Sequence, residues 1–418
     1  AHRGNSPDIA LSRGNSQPDI DTMALAYSSL HSMPKPAGRG MAPCPGASAT
    51  SPIGVSALGA APGPRSRPQR SGMCRAGSRT YTDDQVMDRD HPPWAGGDDL
   101  LSKCVNFAFS IPPLYALMKG QARKVLIETA EKNKIEWRAE ASRLESNPEL
   151  YQLKEELTDS SVDYPSYYTQ EFHAYEEGNL NWQAACEVEP ATYSMALRVW
   201  PKEGLEKEEA QRRLRSSFLD CVQAYREKVG AVAEPKDILD IGCSVGISTR
   251  ALARAHPSAQ VTGLDLSPYF LAVAALRDRL DPSEVAFDFQ KRREGDKPIK
   301  WLHAKAESTG LPDGSFDMIT IQFVCHELPQ AATRDIFKEA RRLLRPGGML
   351  AMCDNNPRSP VIQGLPPVLF TLMKSTEPWS DEYYTFDQEQ CMREAGFQAV
   401  ETVASDPRHR TVMAVVRE

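Results

Sequence analysis

Acidic residues are missing from a long stretch of this 418-residue chain: between Met23 and Thr82 there is no Asp or Glu, while Lys35, Arg39, Arg65, Arg67, Arg70, Arg75 and Arg79 are present. The net charge is -7 overall, with +7 in residues 23–82 and -1 in residues 1–22, which leaves -13 on residues 83–418. An acidic body matches a phosphate backbone poorly, because nucleic-acid affinity rests on Lys and Arg contacts, so no nucleic-acid partner is expected. The nine cysteines form no CxxC pair and no Cys/His ligand spacing. Neither a metal site nor a disulfide framework is therefore expected. Such a scattered, odd set suits a reducing compartment, where cysteine behaves as a small buried hydrophobe. Long hydrophobic runs are absent as well. The uncharged run Cys104 to Met118 has 15 residues and is broken by Pro112 and Pro113. That is too short to span a bilayer and leaves only peripheral contact with a membrane surface open. With 41% hydrophobic and 25% charged residues, the averages are those of a globular protein with room for two or three domains.

Three parts are expected. Residues 1–97 read as a disordered leader: 1–22 hold a near-repeat (Arg3-Gly-Asn-Ser-Pro-Asp-Ile9, then Arg13 to Ile20), best explained as an upstream remnant, and 23–82 have the Ser/Ala/Pro/Arg-rich composition of a transit peptide. Chloroplast delivery follows from that reading, with the mitochondrion or the cytoplasm as alternatives. Residues 98–230 read as a helical extension and lid. Its stretch from Lys119 to Leu157 has sparse apolar positions (Val125, Leu126, Trp137, Leu144) and is expected to pack lightly or to bridge to a partner. An aromatic cluster (Tyr164, Tyr167, Tyr168, Phe172, Tyr175, Trp182) and an amphipathic helix from about Glu203 to Val229 follow. From residue 231 to 418 short apolar strands alternate with helices, the pattern of a parallel sheet covered on both faces.

The chemistry gathers in this last part. Asp237-Ile-Leu-Asp-Ile241 reads as a strand, Gly242-Cys-Ser-Val-Gly246 as a tight loop, and the stretch to His256 as a helix. Glycine lets the backbone turn sharply and approach a ligand, and the helix behind it offers unpaired amide hydrogens. A second strand, Gln260 to Leu264, ends in Asp265, 19 residues after Gly246, where a carboxylate can accept hydrogen bonds from ribose hydroxyls. A dinucleotide fingerprint requires G-x-G-x-x-G, and Ser244 stands between the two glycines instead. A ribose-bearing ligand without a pyrophosphate, such as S-adenosylmethionine, fits better. Downstream come Ala304-Lys-Ala-Glu307, Leu311-Pro-Asp-Gly-Ser-Phe-Asp317, the strand Met318 to Val324 closing on Cys325-His326-Glu327, and the turn Arg345-Pro-Gly-Gly348 feeding a strand that ends at Asp354.

In this combined order the motifs of residues 235–418 resemble a class I S-adenosylmethionine-dependent methyltransferase of the ubiquinone/menaquinone-biosynthesis-like group. The resemblance implies an α/β fold, a Rossmann-like doubly wound seven-stranded sheet with an antiparallel last strand. Ala399 to Val403 and Thr411 to Val416 would supply the final hairpin. It also implies that Asp240, Gly242, Cys243, Ser244 and Gly246 surround the methionine part of the cofactor. Asp265 would hold the ribose, Leu266 would flank the adenine, and Lys305, Ala306 and Glu307 would line the adenine edge. Gln322, Phe323 and His326 would face the sulfonium. Two positions depart from the family pattern: Ser244 stands where Gly is usual, and Lys305 where Asp is usual, which shifts adenine contact to backbone groups or Glu307.

Each residue also has a plainer reading. Asp240 serves equally as a helix cap and Asp265 as a turn residue. Cys243, Cys325 and Cys353 near strand ends read as buried hydrophobes before a redox switch. His326, beside Glu327, is a general base or a cofactor contact, and a base with an ordinary pKa would give an acidic limb near 6.5. The aromatics of 164–182 are core or lid. The expected function is methyl transfer to a small lipophilic, phenolic or quinone acceptor. Residues 355–386, including Pro366, Pro367, Phe370, Trp379, Tyr383 and Tyr384, would shape its pocket. The alternatives are a catalytically inactive cofactor-binding module and a nicotinamide oxidoreductase.

Overall fold

A computed structural model describes residues 90–95, 111, 120, 123–124, 126–172, 175–230, 234–291, 293–365, 373–374 and 376–417. The near-repeat of residues 1–22, the acid-free stretch 23–82, most of the uncharged run 104–118 and Pro366, Pro367 and Phe370 lie outside these residues.

Alternation within short apolar runs builds the sheet. Strands β1 (Asp237–Ile241), β2 (Gln260–Asp265), β3 (Lys300–His303), β4 (Phe316–Gln322), β5 (Leu344–Asn355), β6 (Gln398–Ala404) and β7 (His409–Val415) lie in the order β3-β2-β1-β4-β5-β7-β6. All described pairings are parallel except those of β7, which is antiparallel to β5 and β6. The expected doubly wound sheet with its antiparallel last strand is thus present. Successive side chains of a strand point to opposite faces. Ile238, Val261, Met318, Ala351 and Met413 therefore pack on one face with Phe218, Val222 and Tyr225 of α4 (Lys207–Val229) and Leu252 of α5 (Ile247–Ala255). Leu239, Leu264, Ile319, Ile321 and Leu350 pack on the other with Ile336, Phe337, Ala340 and Leu343 of α7 (Gln330–Leu343). Both faces are buried, which explains the nearly continuous apolar runs.

The segment expected to pack lightly does the opposite. The described part of the stretch from Lys119 to Leu157 is not one helix but several, with separate helices α1 (Trp137–Glu145) and α2 (Pro148–Leu157), and Pro148 restarts the chain behind an Asn147 cap. A single helical phase therefore undercounts its apolar face. Ala141, Leu144, Leu150 and Leu153 share a core with Ala184 and Ala185 of α3 (Trp182–Leu197) and with Phe270, Val273 and Leu276 of α6 (Pro268–Arg279). Arg277 of α6 is fully buried between Glu140 of α1 and Glu189 of α3, and it bonds both. The boundary placed at 230 marks a change of architecture within one body, Met73–Glu418. The leader boundary at 97 also needs correction. Trp94 is buried, stacks edge-on against Tyr384 with centroids 4.9 Å apart, and donates its indole N–H to the Ile362 carbonyl at 3.2 Å. The Arg345-Pro-Gly-Gly348 turn is absorbed into the start of β5. The register there shifts between Phe316 and Met318, and Gly347 takes φ +81°.

Candidate functional site

The strand order reverses between β1 and β4, and the crevice beyond the carboxyl ends of such strands is where open α/β sheets take ligands. Asp240, Gly242–Gly246, Asp265, Gln322 and His326 all fall at this edge.

Asp240 does not face the crevice. It is fully buried: Oδ2 accepts from the hydroxyls of Ser248 and Thr249, both at 2.7 Å, and Oδ1 from Thr320 at 2.6 Å. Burial pushes its pKa up, and the three hydroxyls oppose that. Its place is to tie the start of α5 and the end of β4 to the loop. The glycines are also corrected. A Cβ on Gly242 would stand 2.4 Å from Val324 Cγ2, and one on Gly246 2.4 Å from an Arg250 nitrogen and 2.5 Å from Trp301. They admit the protein's own side chains before any ligand. Gly242, Ser244 and Gly246 all take positive φ (66°, 50° and 85°), so Ser244 occupies a conformation that favours glycine. Its amide donates to Asp265 Oδ2 at 2.7 Å, and its hydroxyl is buried without a hydrogen-bond partner. Cys243, Cys325 and Cys353 are buried and unpaired, and burial raises each thiol far from reactivity.

Asp265 is buried at the end of β2, with Oδ2 on the Ser244 amide and Oδ1 on the Ser267 amide at 2.8 Å. Burial lifts its pKa to about 6 against those two bonds. Each oxygen keeps a lone pair for a further donor. The carbonyl of the next residue, Leu266, is bonded by His303 at the end of β3 (Nε2 to O, 3.1 Å). Lys305 and Ala306 are half-buried. The Glu307 carboxylate, expected at the adenine edge, accepts a hydrogen bond from the Tyr167 hydroxyl.

That bond belongs to a strap. The Asp159 amide donates to His303 Nδ1 at 2.9 Å, the Tyr164 hydroxyl lies 3.2 Å from His303 Nε2, and Ser267 Oγ donates to the Asn179 carbonyl at 2.7 Å. The Asn179 amide reaches Glu327 at 3.5 Å. Tyr168 stacks on Tyr164 with centroids 6.4 Å apart; burial raises its phenol, and the charges of Asp265 and Glu327 add to this. The aromatic cluster therefore divides: Tyr164 and Tyr167 contact His303 and Glu307 and Tyr168 stacks on Tyr164, while Tyr175 bonds Glu187 and Trp182 packs edge-on against Tyr151 and Tyr269.

On the other side of the crevice, Gln322 ends β4 and Phe323 follows at φ 61°, a strained conformation for a bulky residue. A short 3₁₀ turn, Cys325–Glu327, then swings His326 toward β5. His326 Nδ1 lies 2.8 Å from Asp354 Oδ1, and the His326 amide donates to Asp354 Oδ2 at 3.2 Å. Burial disfavours the imidazolium, but the Asp354 charge and hydrogen bond outweigh it and raise the His326 pKa to about 10. The limb expected near 6.5 is thus displaced upward. Burial, with Glu377, Asp354 and Asp265 nearby, pushes Glu327 up to about 8, and His326 acts against this. The pair can hold or move one proton at Nε2.

Sequence reasoning missed Asp354 as the partner of His326, Arg215 as the donor to Gln322 (3.1 Å), His303 and Asn179. Asp354 alone carried a signal, as an acid ending the strand beside the one that leads to His326.

Residues 239–352 match the family model described as a methyltransferase domain. The chain is 31% identical over 163 residues to a ubiquinone biosynthesis O-methyltransferase of Xanthomonas oryzae pv. oryzae, covering 39% of this chain and 58% of the relative. It is 31% identical over 144 residues to a 2-methyl-6-phytyl-1,4-hydroquinone methyltransferase of Synechocystis sp., covering 34% and 40%. The chain spans about half the length of the curated relatives it matches. Among solved structures, a putative O-methyltransferase from Nostoc punctiforme aligns with a TM-score of 0.40 and 18% identity, over 66% of this chain and 72% of that one. The Asp240–Gly246 loop, Asp265 and the β4–β5 edge lie within or beside the span that matches the methyltransferase-domain model.

Proposed function

We propose that this protein binds S-adenosylmethionine in the crevice between β1 and β4 and methylates a hydroxyl of a small, lipophilic phenol or quinol. The observation that carries the reading is the His326–Asp354 pair, a proton-handling dyad 2.8 Å apart at the same edge of the sheet that Asp265 ends on. The residues suit the cofactor. Ser244 offers a buried hydroxyl with no partner, and Asp265 offers free lone pairs to a ribose. When bound, S-adenosylmethionine supplies an already activated methyl group, so the protein contributes mainly proximity, orientation and exclusion of water. In its neutral form, populated as pH rises toward 10, His326 receives the acceptor's proton at Nε2, and Asp354 holds the resulting imidazolium. The strap of residues 159–172 and 175–179 closes the crevice from above. Trp94, Ile362, Tyr383 and Tyr384, buried together, give the neighbouring insert an apolar character that suits a ring-bearing acceptor better than a sugar. The curated relatives, named for quinone methylation, support the same class.

Methyl-labelled S-adenosylmethionine incubated with a panel of catechols, quinols and phenols tests this. Label should appear on oxygen, and label on carbon, or on none of the acceptors, contradicts it. The composition of residues 23–82 supports plastid delivery as part of the same reading. A reporter carrying those residues should enter plastids of a plant or algal cell, and a cytosolic or mitochondrial signal contradicts that part.

A further inference from the structure

A cavity of about 290 Å³ lies between α2, α5, α6 and the start of β3, and none of Ser244, Asp265, Gln322 and His326 lines it. A second, of about 140 Å³, shares Arg254 and Ile299 with it and continues the hollow past Pro257. Leu153 and Leu157 of α2, Ala275 of α6, Ile299 and Trp301 give the larger one apolar walls. The acids on its rim are engaged. Asp278 accepts from Arg250 Nη2 and from the Trp301 indole N–H, both at 2.7 Å, Glu156 pairs with Arg279 at 3.0 Å, and Asp296 accepts the Arg293 amide at 2.8 Å. Arg254 of α5 is not matched in this way. Its Nη2 donates to the Lys291 carbonyl at 2.7 Å and its guanidinium lies over the Phe289 ring at 5.3 Å, but it forms no ion pair among the described residues, and its Nε is sealed from solvent with no acceptor. Burial and the charges of Arg293 and Arg250 hold its pKa down at about 10, against Asp296.

A buried donor without an acceptor costs free energy, and a guanidinium repelled by two others gains most from an anion. Apolar walls around a few polar groups are the makeup of a small-molecule site, and Trp301 adds a ring face for stacking. The charge of the occupant is bounded too. Asp278, Asp296 and Glu156 stand around the same hollow, so a single negative charge fits better than a doubly charged phosphate. We propose that this cavity binds a small aromatic carboxylate, its rings among Leu157, Ile299 and Trp301 and its carboxylate on Arg254. The site is separate from the crevice and does not rest on the cofactor reading, yet it adjoins the glycine loop. Arg250 and Trp301 line the cavity and also stand against Gly246, and Arg250 Nη1 donates to the Val245 and Gly246 carbonyls at 3.3 and 3.4 Å.

Calorimetric titration of the full chain with 1-naphthoate, with 1-naphthylmethanol, which keeps the rings without the charge, and with 1-naphthyl phosphate tests the proposal. The unaltered protein should bind 1-naphthoate saturably and prefer it to the alcohol by on the order of 10–100-fold, the range for a hydrogen bond to a charged group. In Arg254→Met that preference should disappear while affinity for the alcohol stays. Ile299→Trp, which fills the hollow, should remove binding of both and serves if the Met variant does not melt cooperatively. No binding of 1-naphthoate at millimolar concentration, equal binding of acid and alcohol, tighter binding of the phosphate, or 1-naphthoate affinity unchanged in either folded variant overturns the proposal.

Discussion

His326, in the turn after β4, is held by Asp354 of the adjacent strand through a 2.8 Å contact between Nδ1 and Oδ1, and Asp354 also accepts the His326 and Asn355 amides. The carboxylate is therefore fixed by three donors and fixes the ring in turn. This leaves Nε2 as the nitrogen for exchange with an acceptor.

The pH dependence of the dyad follows in sign. The His326 pKa is raised from about 6.5 to about 10 in the folded protein. The folded state then binds more protons than the unfolded one between those values, so the stabilisation is complete below about 6.5 and is lost as pH rises toward 10. The difference in unfolding free energy between the native protein and Asp354→Asn should shrink across that window. Turnover should rise with pH along a limb well above 6.5, and that limb should vanish in His326→Ala, with a loss of about 10²–10⁴-fold. A limb that persists in His326→Ala moves the proton to Glu327.

The strap responds to acid through His303. Its pKa is lowered, chiefly by burial, and its Nδ1 accepts the Asp159 amide, which only the neutral ring can do. Because the folded pKa lies below the unfolded one, the contribution is present at neutral pH and is lost as pH falls below about 6.5. Amide exchange at Asp159 to Tyr164 should accelerate between pH 7.5 and 5 beyond the intrinsic trend. His303→Ala should be fast at both values, and equal protection at both pH values in the native protein would contradict the latch.

Trp94 sets where the chain can be shortened. A chain beginning at Thr82 keeps its packing against Tyr384 and its bond to Ile362, and should melt like the full chain. Trp94→Ala should lower stability by about 3 kcal/mol, the usual cost of emptying a buried tryptophan site. Beginning at residue 98 should do the same. Denaturant midpoints that do not separate the two truncated chains would show that the contact contributes nothing.

Much of the sheet was legible because both of its faces are buried. Runs such as Ile238-Leu-Asp-Ile241 and Met318 to Gln322 announce strands, and the spacing from Gly246 to Asp265 announces two of them side by side. The loop was legible as a loop, but what its glycines make room for was not. Val324 lies 82 residues from Gly242, and Trp301 lies 55 from Gly246, and no local pattern links such pairs. The same distance in sequence hid Arg215 from Gln322 and Trp94 from Ile362. Asp240 misled for a different reason: the motif marks its position next to the ligand loop, while its side chain turns back to three hydroxyls that only the fold assembles.

The central claim is that the crevice beside Asp265 takes S-adenosylmethionine. Calorimetry of the full chain with S-adenosylmethionine, S-adenosylhomocysteine and NAD tests it, repeated with Asp265→Ala. The account predicts saturable binding of the first two, none of NAD, and a loss of about 1.5–3 kcal/mol in affinity on substitution of Asp265, the range for hydrogen bonds to a charged group. Binding of NAD in their place, or S-adenosylmethionine affinity unchanged in Asp265→Ala, would contradict it.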